Sequence, residues 1–205
     1  FKPQRRIVSA ELPDGAARIA MLGHAIDAFA QAGYDYIGMD HFARPDDALA
    51  IAKREGKLHR NFQGYTTQPE CDLLGLGVSA IGRVGPTYAQ NAKTLDAYYG
   101  ALNAGRFATV RGLALDRDDL MRRTVVMDLM CRGRLDFAEV QAEFGIDVPL
   151  IFADELKRLA PLAAHDLVRL HDDAVPVTAA GWYVVRAVAM VFDRYLSNSN
   201  GASRE

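Results

Sequence analysis

Asp40, His41 and Arg44 stand close together in the stretch GMDHFARPDD, which begins at Gly38. They supply a carboxylate, an imidazole that titrates near neutral pH and a guanidinium fork that suits carboxylates. If they follow a strand of a parallel barrel, they lie on the face where active sites form. A turn with solvated charges explains the same spacing, and spacing alone favours that simpler interpretation.

A second stretch, HRNFQGYTT at residues 59–67, is dense in hydrogen-bond donors and aromatic rings. Arg60, Asn61, Gln63 and Tyr65 combine a cation, two amides and a phenol, a set suited to a planar ligand that carries acids. A surface loop with a few capping interactions accounts for the composition equally well. The sequence alone leaves these two interpretations even.

A third stretch, LLGLGVSAIG at residues 73–82, is apolar and rich in glycine. Its glycines would let the backbone approach a nucleotide, with Leu76, Val78 and Ile81 as an apolar wall for adenine. The phosphate-binding fingerprint, with a third glycine and a following helix, is missing. Tight packing within a sheet is therefore the favoured explanation, and we expect a buried strand here.

Metal-binding spacing is not found in this sequence. The five histidines are never paired at the spacing of helical ligands, and the two cysteines, Cys71 and Cys131, are far apart. A four-iron cluster normally needs at least three thiolates. We expect these residues to hold no metal.

The first half of the chain must position the three stretches. Periodicity and breakers predict, in order, a helix that follows Asp14 and stops at Gly33, a strand at 34–39, a short helix from Asp46 or Asp47 to Gly56, a loop at 57–70, the strand at 73–82 and a helix from Thr94 to about Asn103. A helix followed by a strand indicates an α/β repeat. Gly105 is the candidate domain boundary.

From Arg106 onward, the sequence predicts helices followed by a hairpin. Helices are predicted at about 117–132, 136–144 and 150–162, strands at 167–171 and 175–178, and a last helix after Thr178. This order is that of a winged-helix-like module. Its third helix carries Asp154, Glu155, Lys157 and Arg158, nearly neutral where a nucleic-acid reader would be basic, so that alternative ranks low.

Charge and hydropathy exclude several classes of function. The 24 basic and 26 acidic residues give a net charge of -2, which indicates neither a nucleic-acid nor a membrane partner. No apolar run is long enough for a membrane helix, and the sparse cysteines favour a reducing cytoplasm. The chain opens at Phe1 without an initiator Met, from which we expect that an upstream portion is missing.

Several consecutive blocks of the sequence resemble the oxygen-independent coproporphyrinogen III dehydrogenase (oxidase) family of radical S-adenosylmethionine enzymes. The blocks are GMDHFARPDD, HRNFQGYTT, LLGLGVSAIG and YAQN, and a looser similarity continues to Phe192-Asp193-Arg194-Tyr195-Leu196. A related haem-chaperone branch has an Arg-His-Asn run followed by Tyr-Trp. Here the order is His59-Arg60-Asn61 without that pair, which favours the dehydrogenase and keeps the chaperone as the alternative.

The resemblance implies a porphyrin-biosynthesis enzyme that converts coproporphyrinogen III to protoporphyrinogen IX. In that family an N-terminal Cys-x-x-x-Cys-x-x-Cys loop holds a 4Fe-4S cluster, two S-adenosylmethionine molecules are bound, and a radical starts the oxidative decarboxylation of two propionates. This chain lacks the cysteine loop. We therefore expect the activity to belong to a longer protein, and these residues alone to hold no cofactor and to be inactive.

The resemblance also suggests site residues. Ile81, in the Gly-Val-Ser-Ala-Ile run, looks like the family's late apolar contact to S-adenosylmethionine. From their chemistry we assign the porphyrinogen, which carries four propionates, to a second set of residues. That set is Arg44, Arg60, Asn61, Gln63 and Tyr65.

The expected architecture is α/β followed by a mainly helical module. Residues 1–105 would supply the last strands and helices of a partial barrel similar to a TIM barrel, with uncovered sheet edges and apolar faces. Residues 106–197 would form the winged-helix-like domain, and residues 198–205 a tail.

Overall fold

A computed structural model of the protein describes residues 7–68 and 71–198. The run Phe1 to Arg6, and all but the first residue of the tail expected at 198–205, lie outside this range. The first half contains a 3₁₀ turn Ser9–Glu11 and α1 Gly15–Gln31, β1 Asp35–Gly38, β2 His41–Ala43, α2 Ala48–Arg54, β3 His59–Asn61, β4 Gly64–Thr66, β5 Ile81–Val84, β6 Thr87–Asn91, α3 Leu95–Asn103 and β7 Thr109–Ala114.

The three helices predicted for this half are confirmed, and their ends follow capping chemistry. Asp14 and Asp47 each accept a backbone N–H at 2.8 Å in the first turn of α1 and α2, and Thr94 caps α3. Gly33 follows α1 with φ +82°, a left-handed conformation that suits glycine. The strand predicted at 34–39 is confirmed as β1.

Two predictions for the strands are wrong. The expected loop at 57–70 contains the antiparallel hairpin of β3 and β4. The expected buried strand at 73–82 is mostly irregular, and Leu76 is 86 % exposed. Its chain is held by Asn91, whose Nδ2 donates to the carbonyls of Gly75 and Gly77, so regular pairing begins only at Ile81.

All pairs between the strands β1 to β7 are antiparallel. They form the hairpins β1-β2 and β3-β4 and the three-stranded sheet β5-β6-β7. Because β7 follows Gly105 and pairs with β6, this sheet continues across the boundary expected at Gly105. The division of the chain into domains stays a prediction.

The second half is dominated by short helices. Its elements are α4 Arg117–Arg132, β8 Arg134–Asp136, α5 Phe137–Phe144, α6 Val148–Ile151, α7 Ala153–Arg158, α8 Ala160–Ala164, β9 Ala174–Pro176, α9 Ala179–Trp182, α10 Val185–Met190 and α11 Arg194–Asn198.

The first two predicted helices of this half are confirmed as α4 and α5, but the later ones are divided. The helix expected at 150–162 is three short helices, two of which carry a proline in the first turn. The final helix is likewise three segments. Of the strands expected at 167–171 and 175–178, part of the second is β9, and Val168 bridges Val177; β9 pairs with β8, which the sequence did not predict.

The main core surrounds α4. Val125 and Leu129 of α4 are fully buried with Leu135, Phe152 and Phe192. Burial of this size is the dominant favourable contribution to folding, on the order of 2 kcal/mol for each large side chain.

A smaller core lies beneath β1 and joins the two halves of the molecule. Ile37, Leu58 and Tyr65 are buried there with Cys131 of α4. The indole N–H of Trp182 donates to the carbonyl of Ile37 at 3.1 Å, which attaches the second half to β1. The smaller core and this hydrogen bond together fix β1 against the second half of the molecule.

The periphery of the first half is open. Helix α1 has no buried residue, and Ile19 is 71 % exposed. All six residues of β7 are exposed. Uncovered apolar faces were expected in this part of the molecule. Across residues 7–68 and 71–198, the structure contains no helix with the length and hydropathy needed to cross a membrane.

Candidate functional site

The β3-β4 hairpin presents the second stretch of candidate residues. Arg60 and Tyr65 are cross-strand partners, and Asn61 lies opposite Gly64. The side-chain oxygen of Asn61 accepts the backbone N–H of Gln63 at 2.9 Å, which closes the turn. Gln63 itself is exposed at the tip.

Tyr65 anchors the hairpin. Only 7 % of it is exposed, and its hydroxyl donates to the carbonyl of Met130 at 2.9 Å. Burial raises the pKa of this phenol, so it remains a neutral donor, although the neighbouring Arg60 opposes the shift. The Arg60 guanidinium stacks over the Tyr65 ring at 4.9 Å. Tyr65 thus holds Arg60 in place rather than reaching open space itself.

The polar side chains of the first stretch do not gather at one point. His41 Nδ1 lies 2.8 Å from an oxygen of Asp40, and the ring contacts Tyr65 edge to face at 5.2 Å. A Cβ on Gly64 would come within 2.4 Å of His41 Nε2, so the imidazole is pressed against the hairpin. Arg44 points elsewhere, with Asp46 at 3.5 Å and most of its side chain exposed. This arrangement matches the solvated turn more closely than a cluster.

The glycines of the third stretch serve backbone packing. A Cβ on Gly75 would lie 2.8 Å from the carbonyl carbon of Ile81, and one on Gly82 would lie 2.7 Å from the carbonyl oxygen of Leu73. Ile81 begins β5 and is partly buried opposite Gln90. Leu76 is too exposed to complete an apolar wall with it. The favoured explanation, close packing at the sheet, accounts for these glycines.

Two adjoining cavities lie between the hairpin, β5 and α4. The smaller has a volume of about 480 Å³ and the larger about 760 Å³. Arg60 lines both, together with Arg83 of β5 and Arg123 of α4. Asn61 lines the smaller cavity, whereas Arg44, Gln63, Tyr65 and Ile81 line neither.

Arg83 and Arg123 were missed by the sequence reasoning. Arg83 Nη2 donates to the carbonyl of Cys71 at 2.9 Å, and Arg123 Nε donates to the hydroxyl of Tyr88 at 2.9 Å. The three arginines are spread over 64 positions of the sequence, and only the fold gathers them. Tyr88, the hydrogen-bond partner of Arg123, lies in the YAQN block that the sequence analysis had noted.

The floor of the smaller cavity is apolar. Val126, Met127 and Met130 of α4 face it, and Phe62 meets Tyr88 edge to face at 5.1 Å. Apolar walls with a few placed polar groups are typical of sites for organic ligands. Guanidinium groups above such a floor suit a ligand with flat apolar rings and carboxylates.

A titratable carboxyl borders the larger cavity. Burial raises the pKa of Asp128 to about 6, and Arg132, 3.5 Å away, partly opposes the rise. Glu139, Glu143 and Asp136 add to it by repulsion. This side chain changes charge within the range in which most enzymes work.

Potential metal ligands are dispersed among the described residues. These residues contain no group of three or more His, Cys, Asp or Glu side chains able to hold an ion. Cys71 is exposed in the segment between β4 and β5, and Cys131 is buried in α4.

Comparisons with known proteins agree with the resemblance in the sequence. The family model of the HemN C-terminal domain matches residues 115–184. An oxygen-independent coproporphyrinogen III oxidase from Escherichia coli K12 is 49% identical over 96% of this chain, and one from Pseudomonas aeruginosa is 46% identical over 98%. The alignments cover 43% and 44% of those relatives. A relative from Thermostichus vulcanus is 43% identical over 98% of the chain, with 62% of it covered.

A solved structure gives the same result for the fold. Coproporphyrinogen III oxidase (HemN) from Escherichia coli, described as a radical SAM enzyme, superposes with a TM-score of 0.89 at 48% identity. The match covers 95% of this chain and 45% of that one. The chain thus spans less than half the length of this structure and of most of these relatives. By sequence and by fold, it belongs to the family of the oxygen-independent coproporphyrinogen III oxidases.

Proposed function

We propose that this chain is the part of a longer oxygen-independent coproporphyrinogen III oxidase that helps to hold the tetrapyrrole. The longer protein would convert coproporphyrinogen III to protoporphyrinogen IX by radical oxidative decarboxylation of two propionates. The observation that carries the proposal is the cavity pair lined by Arg60, Arg83 and Arg123, in a chain 49% identical to a relative with this name. Guanidinium forks bind carboxylates with two parallel hydrogen bonds.

The residues assigned from the sequence divide into two groups under this proposal. Arg60 and Asn61 line the smaller cavity and would contact the substrate. Tyr65 would act through Arg60, which it supports from below. Arg44 and Gln63 remain proposed contacts that need another part of the protein or the substrate to reach them, and Ile81 remains the proposed S-adenosylmethionine contact.

The cofactors of the proposed reaction would be S-adenosylmethionine and a 4Fe-4S cluster in the longer protein. Together they would supply the radical that starts decarboxylation. The described residues do not fit the cluster, because they offer no group of three ligands. What this chain contributes is binding and orientation of the substrate, and we propose that alone it is inactive.

The finer description of the fold belongs to the same proposal. Residues 1–105 would supply the last strands and helices of a partial barrel, whose other strands would cover the exposed face of α1. The order α4, β8, α5, then short helices and β9, is the order of a winged-helix-like module. The barrel would place the substrate next to the radical, and the module would close the cavity.

The test is an anaerobic assay of the full-length protein and of the 205-residue chain. Each is reconstituted with iron and sulfide and incubated with reductant, S-adenosylmethionine, coproporphyrinogen III and an electron acceptor for the electron that each decarboxylation releases, with a control that omits S-adenosylmethionine. The full-length protein should form deoxyadenosine and protoporphyrinogen IX, whereas the chain should form neither and show no stable cluster absorption. Product from the chain, or none from a cluster-loaded full-length protein, would refute the proposal.

A further inference from the structure

A third cavity, which the candidate site does not include, adjoins the smaller cavity of that site. Its volume is about 420 Å³, and it lies between β7, α4, α10 and the chain around α11. Four residues line both cavities: Tyr88, Arg123, Val126 and Met130. Molecules bound in the two cavities would therefore be separated by little more than one layer of side chains.

The walls of the third cavity are mostly apolar. They are formed by Leu113 of β7, Val126 and Met130 of α4, Ala189 of α10 and the buried Phe192. A cavity of this volume with apolar walls suits the ring system of a small organic molecule.

Two polar groups of the lining can bind such a molecule. The Tyr88 hydroxyl accepts the Nε–H of Arg123 at 2.9 Å, and it donates its own hydrogen to none of the described residues. Arg186 of α10 is exposed and forms no hydrogen bond or ion pair within the part of the chain that the structure describes. Arg194, in contrast, lines the same cavity but is paired with Asp118 at 2.8 Å. Arg186 therefore offers its guanidinium to an anionic group of a ligand.

The proposed reaction needs an electron acceptor close to the substrate. For a vinyl group to form, the deoxyadenosyl radical must take a hydrogen atom from the propionate carbon next to the pyrrole ring, which leaves a radical there. When the bond to the carboxylate then breaks, carbon dioxide leaves, the double bond forms and one electron is left over. Two decarboxylations therefore release two electrons, one at a time.

We propose that the third cavity binds the acceptor of these electrons, a flavin with the size and charge of flavin mononucleotide. This inference rests on the proposed function, which places the substrate in the adjoining cavity. A flavin accepts electrons singly and, with two protons from solvent, stores both, whereas a nicotinamide accepts them together as hydride. The flavin ring would lie between the apolar walls with the Tyr88 hydroxyl at its edge, and the phosphate would meet Arg186.

The first measurement is equilibrium dialysis of the full-length protein, without reductant, against oxidised flavin mononucleotide or riboflavin, which lacks the phosphate. The variants are Leu113→Trp and Arg186→Gln, because both residues line the third cavity and neither of the other two. Leu113 is 40 % exposed, so a larger ring there should fill the cavity and leave the main core intact. Arg169→Gln is the control, because that arginine is 67 % exposed on the second half.

The acceptor site predicts a different result for each variant. Leu113→Trp should abolish binding of both flavins. Arg186→Gln should weaken flavin mononucleotide about tenfold and leave riboflavin unchanged, because only the phosphate loses a charge-assisted hydrogen bond. Saturating coproporphyrin III should not displace either flavin, since it occupies the adjoining cavity, and it should bind all variants as it binds the wild type.

The second measurement follows the electron. The full-length enzyme reacts with S-adenosylmethionine, coproporphyrinogen III and a limiting amount of reductant, and oxidised flavin mononucleotide in excess over the reductant is added afterwards. Electron paramagnetic resonance should show a substrate radical that accumulates before the flavin is added. After the addition it should decay as vinyl product and reduced flavin form, and Leu113→Trp should lose this decay.

Other results would overturn the acceptor site. These are a wild type that binds no flavin, flavin that coproporphyrin III displaces, and equal loss of riboflavin in Arg186→Gln. A radical that decays equally in Leu113→Trp would contradict it too, and so would deoxyadenosine formation without any accumulated radical, because the electron would then return to the cluster. If the cluster-loaded wild type formed neither deoxyadenosine nor vinyl product, the proposed function itself would fail, which separates that failure from failure of the acceptor site.

Discussion

The two halves of this molecule are stabilised differently. From α4 onward, short helices surround one continuous core in which Leu129, Phe152 and Phe192 are fully buried. Before α4, small hairpins and a three-stranded sheet leave α1 without a single buried residue. The second half has a core of its own, whereas the described residues of the first half contribute mainly to the cluster around Ile37, next to α4.

This difference explains where the candidate site lies. The β3-β4 hairpin is one part of the first half that is bonded to α4, through the hydroxyl of Tyr65 and the carbonyl of Met130. Arg60 is therefore held by the well-packed half although it belongs to the open one. Exposed apolar faces such as that of α1 are typical of contact surfaces.

The largest effect should come from removing a ring of the main core. Phe192→Ala deletes a fully buried side chain that meets Phe152 edge to face at 5.5 Å, and we expect a loss of about 3–5 kcal/mol in the free energy of unfolding. Ile19→Ala on α1, a residue exposed in this chain, should change it by less than about 0.5 kcal/mol. Urea unfolding of the 205-residue chain measures both. Similar losses for the two variants would remove the contrast between the halves.

The next effect concerns buried charge. Arg122 bonds to Asp118 at 2.9 Å and to Glu155 at 2.8 Å, and both Arg122 and Glu155 are largely buried. Arg122→Met should destabilise the chain by about 3 kcal/mol because it leaves Glu155 with a weaker partner.

The matched control for Arg122 is Lys57→Met in the first half. Lys57 forms an ion pair with Glu55 that is largely in solvent. Removal of this pair should cause no measurable change in the free energy of unfolding. Both variants are measured by urea unfolding. Equal losses in the free energy of unfolding for Arg122→Met and Lys57→Met would contradict the proposed difference between the two halves.

A smaller effect depends on pH. The pKa of Asp128 is raised to about 6 in the folded protein, so its contribution to stability is complete at low pH and is lost as the pH rises through 6. Asp128→Asn removes that loss and should raise the free energy of unfolding above pH 6 by about 1 to 2 kcal/mol, allowing for partial exposure. Unfolding of both proteins about one unit below and one unit above this pKa provides the measurement, and a gain that is equal at both values would show that Asp128 is not shifted.

Local signals predicted much of the fold. Caps such as Asp14 and Asp47 and the stop at Gly33 set the ends of α1 and α2, because capping acts within one turn of the chain. The prediction of a buried strand at 73–82 was wrong because it took the apolar side chains of this run as a sign of burial. In the structure, Asn91 holds that segment by its backbone instead.

Only some of the residues of the candidate site could be predicted from the sequence. Arg60 and Asn61, which line the smaller cavity, could be proposed because their stretch is locally dense in polar groups, and Arg44 was proposed although its side chain points to solvent. Arg83 and Arg123 are 40 positions apart in the sequence, and only tertiary contacts bring them to the same wall. Periodicity carries no information about such contacts.

The central claim is that the arginine-lined wall handles the substrate, and Arg60→Gln in the full-length protein tests it most directly. Steady-state kinetics with coproporphyrinogen III, together with iron content, should show a loss of about ten- to hundredfold in kcat/KM at wild-type iron content, because one charge-assisted hydrogen bond contributes about 1.5–3 kcal/mol. Arg169→Gln should behave as the wild type. An unchanged kcat/KM for Arg60→Gln would contradict the account, and so would a fall in kcat/KM that only follows a loss of iron.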